Sequence, residues 1–146
     1  MTKKIILLVE DNPDDVELAL LALQANGMKN ETVVARDGQE ALDYMQRVSL
    51  GSCEARPEVI LLDLKLPRLD GFEVLKRVRA NPATRFLPIV ILSSSREERD
   101  LITCYELGAN SYIQKSLDFS VFSESVRQIG QYWLCLNEVP LACKPV

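Results

Sequence analysis

Five short apolar runs punctuate the chain: Ile5–Val9, Thr32–Ala35, Val59–Leu62, Ile89–Leu92 and the weaker Tyr112–Ile113. The first, third and fourth are unbroken and rich in Val, Ile and Leu, as strands covered on both faces of a parallel sheet are. Between the runs the apolar positions take a helical period. Asn12-Pro13-Asp14-Asp15 sets a capping Asn before a Pro at the first helical position, with acids in the first turn. Val16, Ala19, Leu20 and Leu23 then recur on one face, and Gly27 is placed to stop the helix. Asp37-Gly38-Gln39-Glu40 and Asp70-Gly71-Phe72-Glu73 resemble capping boxes with Asp as the cap, and Ser95-Arg96-Glu97-Glu98 is the Ser form, opening a fourth helix. The last helix carries Phe119, Phe122, Val126, Ile129 and Trp133 at a 3-4-3-4 spacing.

The order is strand then helix, repeated five times, which predicts an α/β fold: a doubly wound five-stranded parallel sheet with right-handed crossovers and helices on both faces, three layers in all. The 146 residues suit a single domain, expected over residues 1–136 with a tail over 137–146; Ser49–Pro57 reads as a loop.

Composition narrows the function. Hydrophobic residues make up 47% and charged residues 26%, as in a globular protein, and the net charge of −4 disfavours binding nucleic acid or an anionic membrane through bulk charge. Histidine is absent, which excludes His–metal sites, Ser-His-Asp and Cys-His nucleophile pairs, and a phosphohistidine on this chain. Cys53, Cys104, Cys135 and Cys143 form no CxxC pair, so they read as reduced thiols rather than a zinc or redox site. Five apolar residues ahead of Glu10 are too few for a signal sequence or a membrane span, and a cytoplasmic location is expected.

In open α/β sheets, ligands bind outside the carboxyl ends of the strands. Glu10 and Asp11 follow the first run, Asp63 the third, Ser93 the fourth, and Gln114 and Lys115 the fifth. One edge thus gathers three carboxylates, a hydroxyl and an ammonium. Carboxylates this close repel unless a cation intervenes, and an all-oxygen cluster suits Mg2+. The same acids would repel the phosphate of a flavin or dinucleotide. An Asp beside bound Mg2+ can attack phosphorus and form an aspartyl phosphate, with a Lys and a hydroxyl to hold the phosphoryl oxygens.

Each residue has a plainer use when taken alone. Glu10 and Asp11 could favour a helix start, but Asn12-Pro13 already serves there. Asp63 could cap a turn, Lys115 could be a solvated charge, Ser93–Ser95 could be helix-start residues (Ser95 with Glu98 as its box partner), and Tyr112 could simply pack. The ordered set is what carries meaning. Glu10-Asp11, Asp63, Ser93 and Lys115, each after a strand-like run, resemble the receiver domain of two-component response regulators from about Lys4 to about Trp133. Leu62-Asp63-Leu64-Lys65-Leu66-Pro67-Arg68-Leu69-Asp70-Gly71 resembles that family's phosphoacceptor segment, and Gly108-Ala109 before Tyr112 matches as well.

The resemblance implies a flavodoxin-like (CheY-like) fold and a phosphorylation switch rather than an enzyme acting on an external substrate. Asp63 resembles the phosphoacceptor, charged from a phosphohistidine on a sensor histidine kinase. Asp11 and Asp63 would bind Mg2+ with the backbone carbonyl of Lys65, and Glu10 would act through water. Lys115 would pair with the phosphoryl group, Ser93 would donate its hydroxyl to it, and Tyr112 would change rotamer as the loop moves. Two positions depart from the family pattern: Ser116 stands where Pro is usual after the Lys, and Ser93 where Thr is common. Asp11-Asn12-Pro13-Asp14-Asp15-Val16, the Ser49–Pro57 loop and the length are similar to the phytochrome-linked response regulators of cyanobacteria, which implies a bilin phytochrome kinase as partner. Tyr132, Trp133, Leu134 and Leu136 exceed what one helix face buries, so homodimerisation is expected through the fourth and fifth helices, the last strand and the tail. Two other classes compete. A Mg2+-dependent aspartyl-phosphate phosphatase would need a second acid two residues after the nucleophile, where Lys65 stands, and a degenerate interaction module would not need Asp11, Asp63 and Lys115 intact.

Overall fold

The structure, a computed structural model, describes residues 4–25, 30–51 and 55–140. The expected stop at Gly27, as well as Cys53 and Cys143, lie outside the described residues. Strands and helices alternate strictly: β1 (Lys4–Val9), α1 (Pro13–Gln24), β2 (Asn30–Ala35), α2 (Gly38–Ser49), β3 (Val59–Leu62), α3 (Gly71–Ala80), β4 (Ile89–Ser93), α4 (Glu98–Glu106), β5 (Ser111–Gln114) and α5 (Phe119–Gln131), with a π-helical turn over Tyr132–Leu136. The strand order is β2-β1-β3-β4-β5, every neighbouring pair parallel, as the flavodoxin-like reading requires. Among the described residues no helix is long and apolar enough to cross a membrane.

The unbroken apolar runs make sense in this sandwich because each strand feeds two cores. Leu7, Val9, Ile60, Leu62, Ile89 and Ile91 pack towards α2, α3 and α4, where Ala41, Met45, Val74, Leu75 and Val78 meet them. Their alternates Ile6, Leu8, Leu61, Val90 and Leu92 pack towards α1 and α5, against Val16, Leu23, Phe122 and Val126. A buried strand side chain of this size contributes roughly 1.5–3 kcal/mol over its exposed state, so the one-residue alternation fixes the register of the whole sheet.

Capping starts three helices where the sequence placed them. Asn12 Oδ1 accepts from the Asp14 N–H at 2.9 Å and the Asp15 N–H at 3.2 Å; Asp37 accepts from the Glu40 N–H at 2.7 Å and Asp70 from the Glu73 N–H at 3.0 Å. Several expectations shift. β2 and β5 begin before their apolar residues because ladder hydrogen bonds to β1 and β4 recruit the polar Asn30 and Ser111. Ser49 closes α2, and its hydroxyl donates back to the Met45 carbonyl, so the connection begins one residue later than read. α4 starts at Glu98 with Glu97 as cap residue, and Ser95 bonds Asp100 rather than pairing with Glu98. Of the expected α5 stripe, Phe122, Val126 and Ile129 are core and Trp133 is partly buried, but Phe119, at the helix's first turn beyond the sheet edge, is half exposed. The π-turn returns Leu134 to the core it shares with Val126 and Ile129, leaving Tyr132 and Leu136 outside.

Candidate phosphoryl-transfer site

Register builds the site before any side chain is considered. Val9 lies beside Leu62, so the residues that follow them leave the sheet as neighbours at its carboxyl edge. The edge is also the switch point of the topology, since β1 lies between β2 on one side and β3 on the other. Backbone hydrogen bonds run one residue beyond the strands: Glu10 N–H to the Ala35 carbonyl at 2.9 Å, Asp63 N–H to Val9 at 3.1 Å, and Lys115 N–H to Ser93 at 2.8 Å. The chemistry-bearing residues are therefore anchored on ladder geometry rather than on free loops.

The side chains converge. Glu10, Asp11 and Asp63 each offer a carboxylate oxygen within 4.8 Å of the others. Glu10 and Asp63 are buried and Asp11 is exposed, so the cluster has an inner wall and an open mouth. Lys115 Nζ donates to Glu10 Oε1, lies 3.1 Å from Asp15 Oδ2 and 3.4 Å from Asp63 Oδ2. The other Asp63 oxygen, Oδ1, accepts the Leu64 N–H at 2.8 Å. One ammonium therefore meets three carboxylates, those of Glu10, Asp15 and Asp63, and Asp11 adds a further carboxylate to the Glu10–Asp63 cluster. Three close carboxylates with all-oxygen donors fit a hard divalent cation such as Mg2+.

The protonation balance expresses the surplus. Burial pushes the Glu10 carboxyl up to about 7; the Lys115 hydrogen bond opposes that and the Asp63 charge adds to it. Burial alone would lower the Lys115 pKa, but its hydrogen bond to Glu10 and the charges of Asp63 and Glu10 outweigh it and hold it above the ordinary value. Lys115 thus stays an ammonium, and the inner carboxylate is the group that gives way.

Ser93 and Tyr112 flank the cluster from the β4–α4 side. Ser93 is 1% exposed, at the last position of β4, and its Oγ accepts the Ser95 N–H at 3.1 Å. The Tyr112 ring packs against the α2–α4 core, and its hydroxyl donates to the Ser95 carbonyl at 3.0 Å. Lys65, exposed, joins Ser93 and Asp70 in lining an open cleft of about 530 Å³ next to the acidic cluster. Ser116 changes the expected loop chemistry only locally: all described peptide bonds are trans, and the Ser116 hydroxyl accepts the Asp118 N–H at 3.1 Å ahead of α5.

Two site residues were not read from the sequence. Asp15 appeared there as a first-turn acid and within the Asp11–Val16 segment, without a site role; it lies in the first turn of α1, and Asp11 lies ahead of that helix. Gly71 appeared in a cap and at the end of the Leu62–Gly71 segment, with no role of its own; a Cβ there would lie 2.3 Å from the Asp63 carbonyl oxygen, so the helix start and the acidic segment can touch only through glycine.

Comparison with known proteins agrees with this arrangement. A family model for the response regulator receiver domain matches residues 6–127. Response regulator Rcp1 of Synechocystis sp. is 37% identical over 139 residues, which are 95% of this chain and 95% of that protein. The crystal structure of the phosphorylated cyanobacterial phytochrome response regulator RcpA superposes with a TM-score of 0.87 at 38% identity, covering 95% of this chain and 99% of that one. The Mn2+-bound form of Rcp1 superposes with a TM-score of 0.85 at 37% identity, covering 94% and 99%. Receiver domains are signalling modules that are phosphorylated by histidine kinases and bind Mg2+ at an acidic site. With its fold, its acidic edge and the match over most of its length, the chain belongs to the response regulator receiver family.

Proposed function

We propose that the protein is a phosphorylation switch in which Asp63 accepts a phosphoryl group from a phosphohistidine on a sensor histidine kinase. The observation that carries this reading is the convergence of Glu10, Asp11 and Asp63 within 4.8 Å with the Lys115 ammonium beside Asp63. A Mg2+ ion held by Asp11, Asp63 and the Lys65 carbonyl, with Glu10 acting through water, would supply positive charge between the carboxylates and the incoming phosphoryl group.

An Asp63 carboxylate oxygen attacks phosphorus; the P–N bond to the donor imidazole breaks as the P–O bond forms, and the electron pair returns to the imidazole nitrogen. These 146 residues contain no histidine, so the donor imidazole lies outside them. Lys115 already faces the acceptor oxygen and can turn its contacts from Glu10 and Asp15 to the phosphoryl oxygens. Ser93, buried beside the cleft, donates its hydroxyl. The phosphoryl group adds nearly two charges, and the arrangement that binds them best gains population. Two charge-assisted bonds, about 1.5–3 kcal/mol each, suffice for a tenfold shift or more. Tyr112 carries that shift to the protein-binding face.

The likeness to the cyanobacterial phytochrome response regulator RcpA supports a bilin-bearing phytochrome kinase as the donor. Half-exposed Ile102, Tyr105 and Tyr132 with exposed Leu136 support homodimerisation through α4, α5, β5 and the tail; sedimentation that gives a monomer mass at every concentration, with and without phosphorylation, contradicts it. The proposed domain spans residues 1–136, with 137–146 as its tail and the cytoplasm as its location. Asp63→Asn is expected to abolish Mg2+-dependent labelling by acetyl phosphate; labelling that persists in this variant removes Asp63 from the role.

A further inference from the structure

α4 starts unlike the other helices. α1, α2, α3 and α5 each begin with an Asn or Asp whose side chain accepts first-turn N–H groups. The α4 cap residue, Glu97, makes no such bond. Ser95 holds this start instead: its Oγ accepts the Glu97 N–H at 3.2 Å and donates to Asp100 Oδ2 at 2.6 Å. The Ser95 backbone reaches the two switch residues as well. Its N–H donates to Ser93 Oγ at 3.1 Å and its carbonyl accepts the Tyr112 hydroxyl at 3.0 Å. Asp100 therefore touches neither Ser93 nor Tyr112 through these bonds, yet it holds Ser95, which bonds both.

The Ser93 hydroxyl shows what the arrangement is for. Its oxygen is already engaged as an acceptor, the residue is 1% exposed, and among the described residues no group takes its hydrogen. Ser93 also lines the open cleft, so this hydrogen can turn to a ligand that enters there. The hydroxyl lies on the β4 end nearest the Asp63 edge, where an incoming phosphoryl oxygen would satisfy it. A loop that has to keep this donor in place needs an anchor, and a hydroxyl-to-carboxylate bond at 2.6 Å is a strong one.

We infer that Asp100 is a positioning residue for phosphoryl recognition: by holding Ser95 it keeps the Ser93 hydroxyl aimed at the Asp63 edge and Tyr112 turned inward. The inference rests on the reading of Asp63 as the phosphoacceptor. When the Asp100 bond is lost, Ser95 gains rotamers, the competent loop arrangement falls to a fraction of the population, and apparent affinity for a phosphoryl group falls by the same fraction.

The test is titration of the protein and its variants with beryllofluoride, a phosphoryl mimic, in saturating Mg2+, together with the Tyr112 ring resonance and a separate Mg2+ titration. Asp100→Ala is expected to weaken beryllofluoride binding about tenfold, Ser95→Ala at least as much because it also removes the acceptor of the Glu97 N–H, and the double variant no further than Ser95→Ala, because the bond between the two residues is lost in either. Asp100→Asn, which keeps an acceptor oxygen, is expected to recover most of the affinity. Tyr112 is expected to move towards a solvent-exposed shift in the Ala variants, while Mg2+ affinity stays at the wild-type value. Beryllofluoride affinity within about twofold of wild type, additive single effects, or a parallel loss of Mg2+ affinity overturns the positioning role. Wild-type protein that fails to bind beryllofluoride overturns the phosphoacceptor reading itself, and the inference with it; wild-type binding with an unaffected Asp100→Ala overturns the inference alone.

Discussion

The two edges of the sheet each hold a cation, and the cations are used in opposite ways. At the amino edge Arg79 donates to the carbonyls of Gly108, Arg85 and Leu87 and to Asn110 Oδ1, all at 2.7–2.9 Å. These four acceptors are neutral, and Asn110 Oδ1 also accepts the Ile89 N–H, so α3, the entry to β4 and the entry to β5 are tied together. At the carboxyl edge Lys115 meets carboxylates it cannot neutralise, and burial pushes Glu10 up to about 7. A matched cation makes scaffold. An outnumbered one leaves negative charge for a divalent ion and a phosphoryl group to complete.

That contrast can be broken most forcefully at Arg79. Arg79→Ala takes the guanidinium from the part-buried carbonyls of Gly108 and Leu87 and from two exposed acceptors, and is expected to cost about 2–4 kcal/mol of stability in chemical denaturation, while the surviving folded protein binds Mg2+ with unchanged affinity. A loss of Mg2+ affinity would mean that the two edges are not separate in function. Lys115→Ala is expected to cost less, about 1–3 kcal/mol, because Glu10 can take up a proton in compensation. Its Mg2+ affinity is expected to rise as repulsion goes unanswered, while retention of the phosphoryl group on Asp63 falls; calorimetry and the decay of labelled protein measure the two. A fall in Mg2+ affinity would show Lys115 to be scaffold like Arg79.

The smallest effect concerns pH. The folded pKa of Glu10 lies above its ordinary value of 4.5, so its contribution to the stability of the metal-free protein is fully present below about 4.5 and is lost as pH rises through about 7. Mg2+ binding competes with that proton. Affinity is therefore expected to rise severalfold between about pH 6 and 8, and Glu10→Gln is expected to flatten the rise. A flat wild-type profile would place Glu10 outside the metal's reach.

The strands at the centre of the sheet were legible because burial on both faces leaves no room for polar residues: Val59–Leu62 coincides in both readings. The edge strands were less so, since ladder bonds extend β2 and β5 over residues whose side chains carry no strand signal. Glu10, Asp11, Asp63, Ser93 and Lys115 could be found because strand ends share an edge by topology. Asp15, Gly71 and Asp100 could not. Their roles depend on which helical turn faces the edge, on how closely two backbones approach, and on a loop that bonds Ser95 to Asp100 where local spacing suggested Glu98.

Mass spectrometry of the wild-type protein after reaction with acetyl phosphate, with and without Mg2+, reads the phosphoacceptor itself. The account predicts a single phosphoryl group per chain, in the peptide that holds Asp63 and only when Mg2+ is present. A label on another residue, or none with Mg2+ supplied, would contradict it.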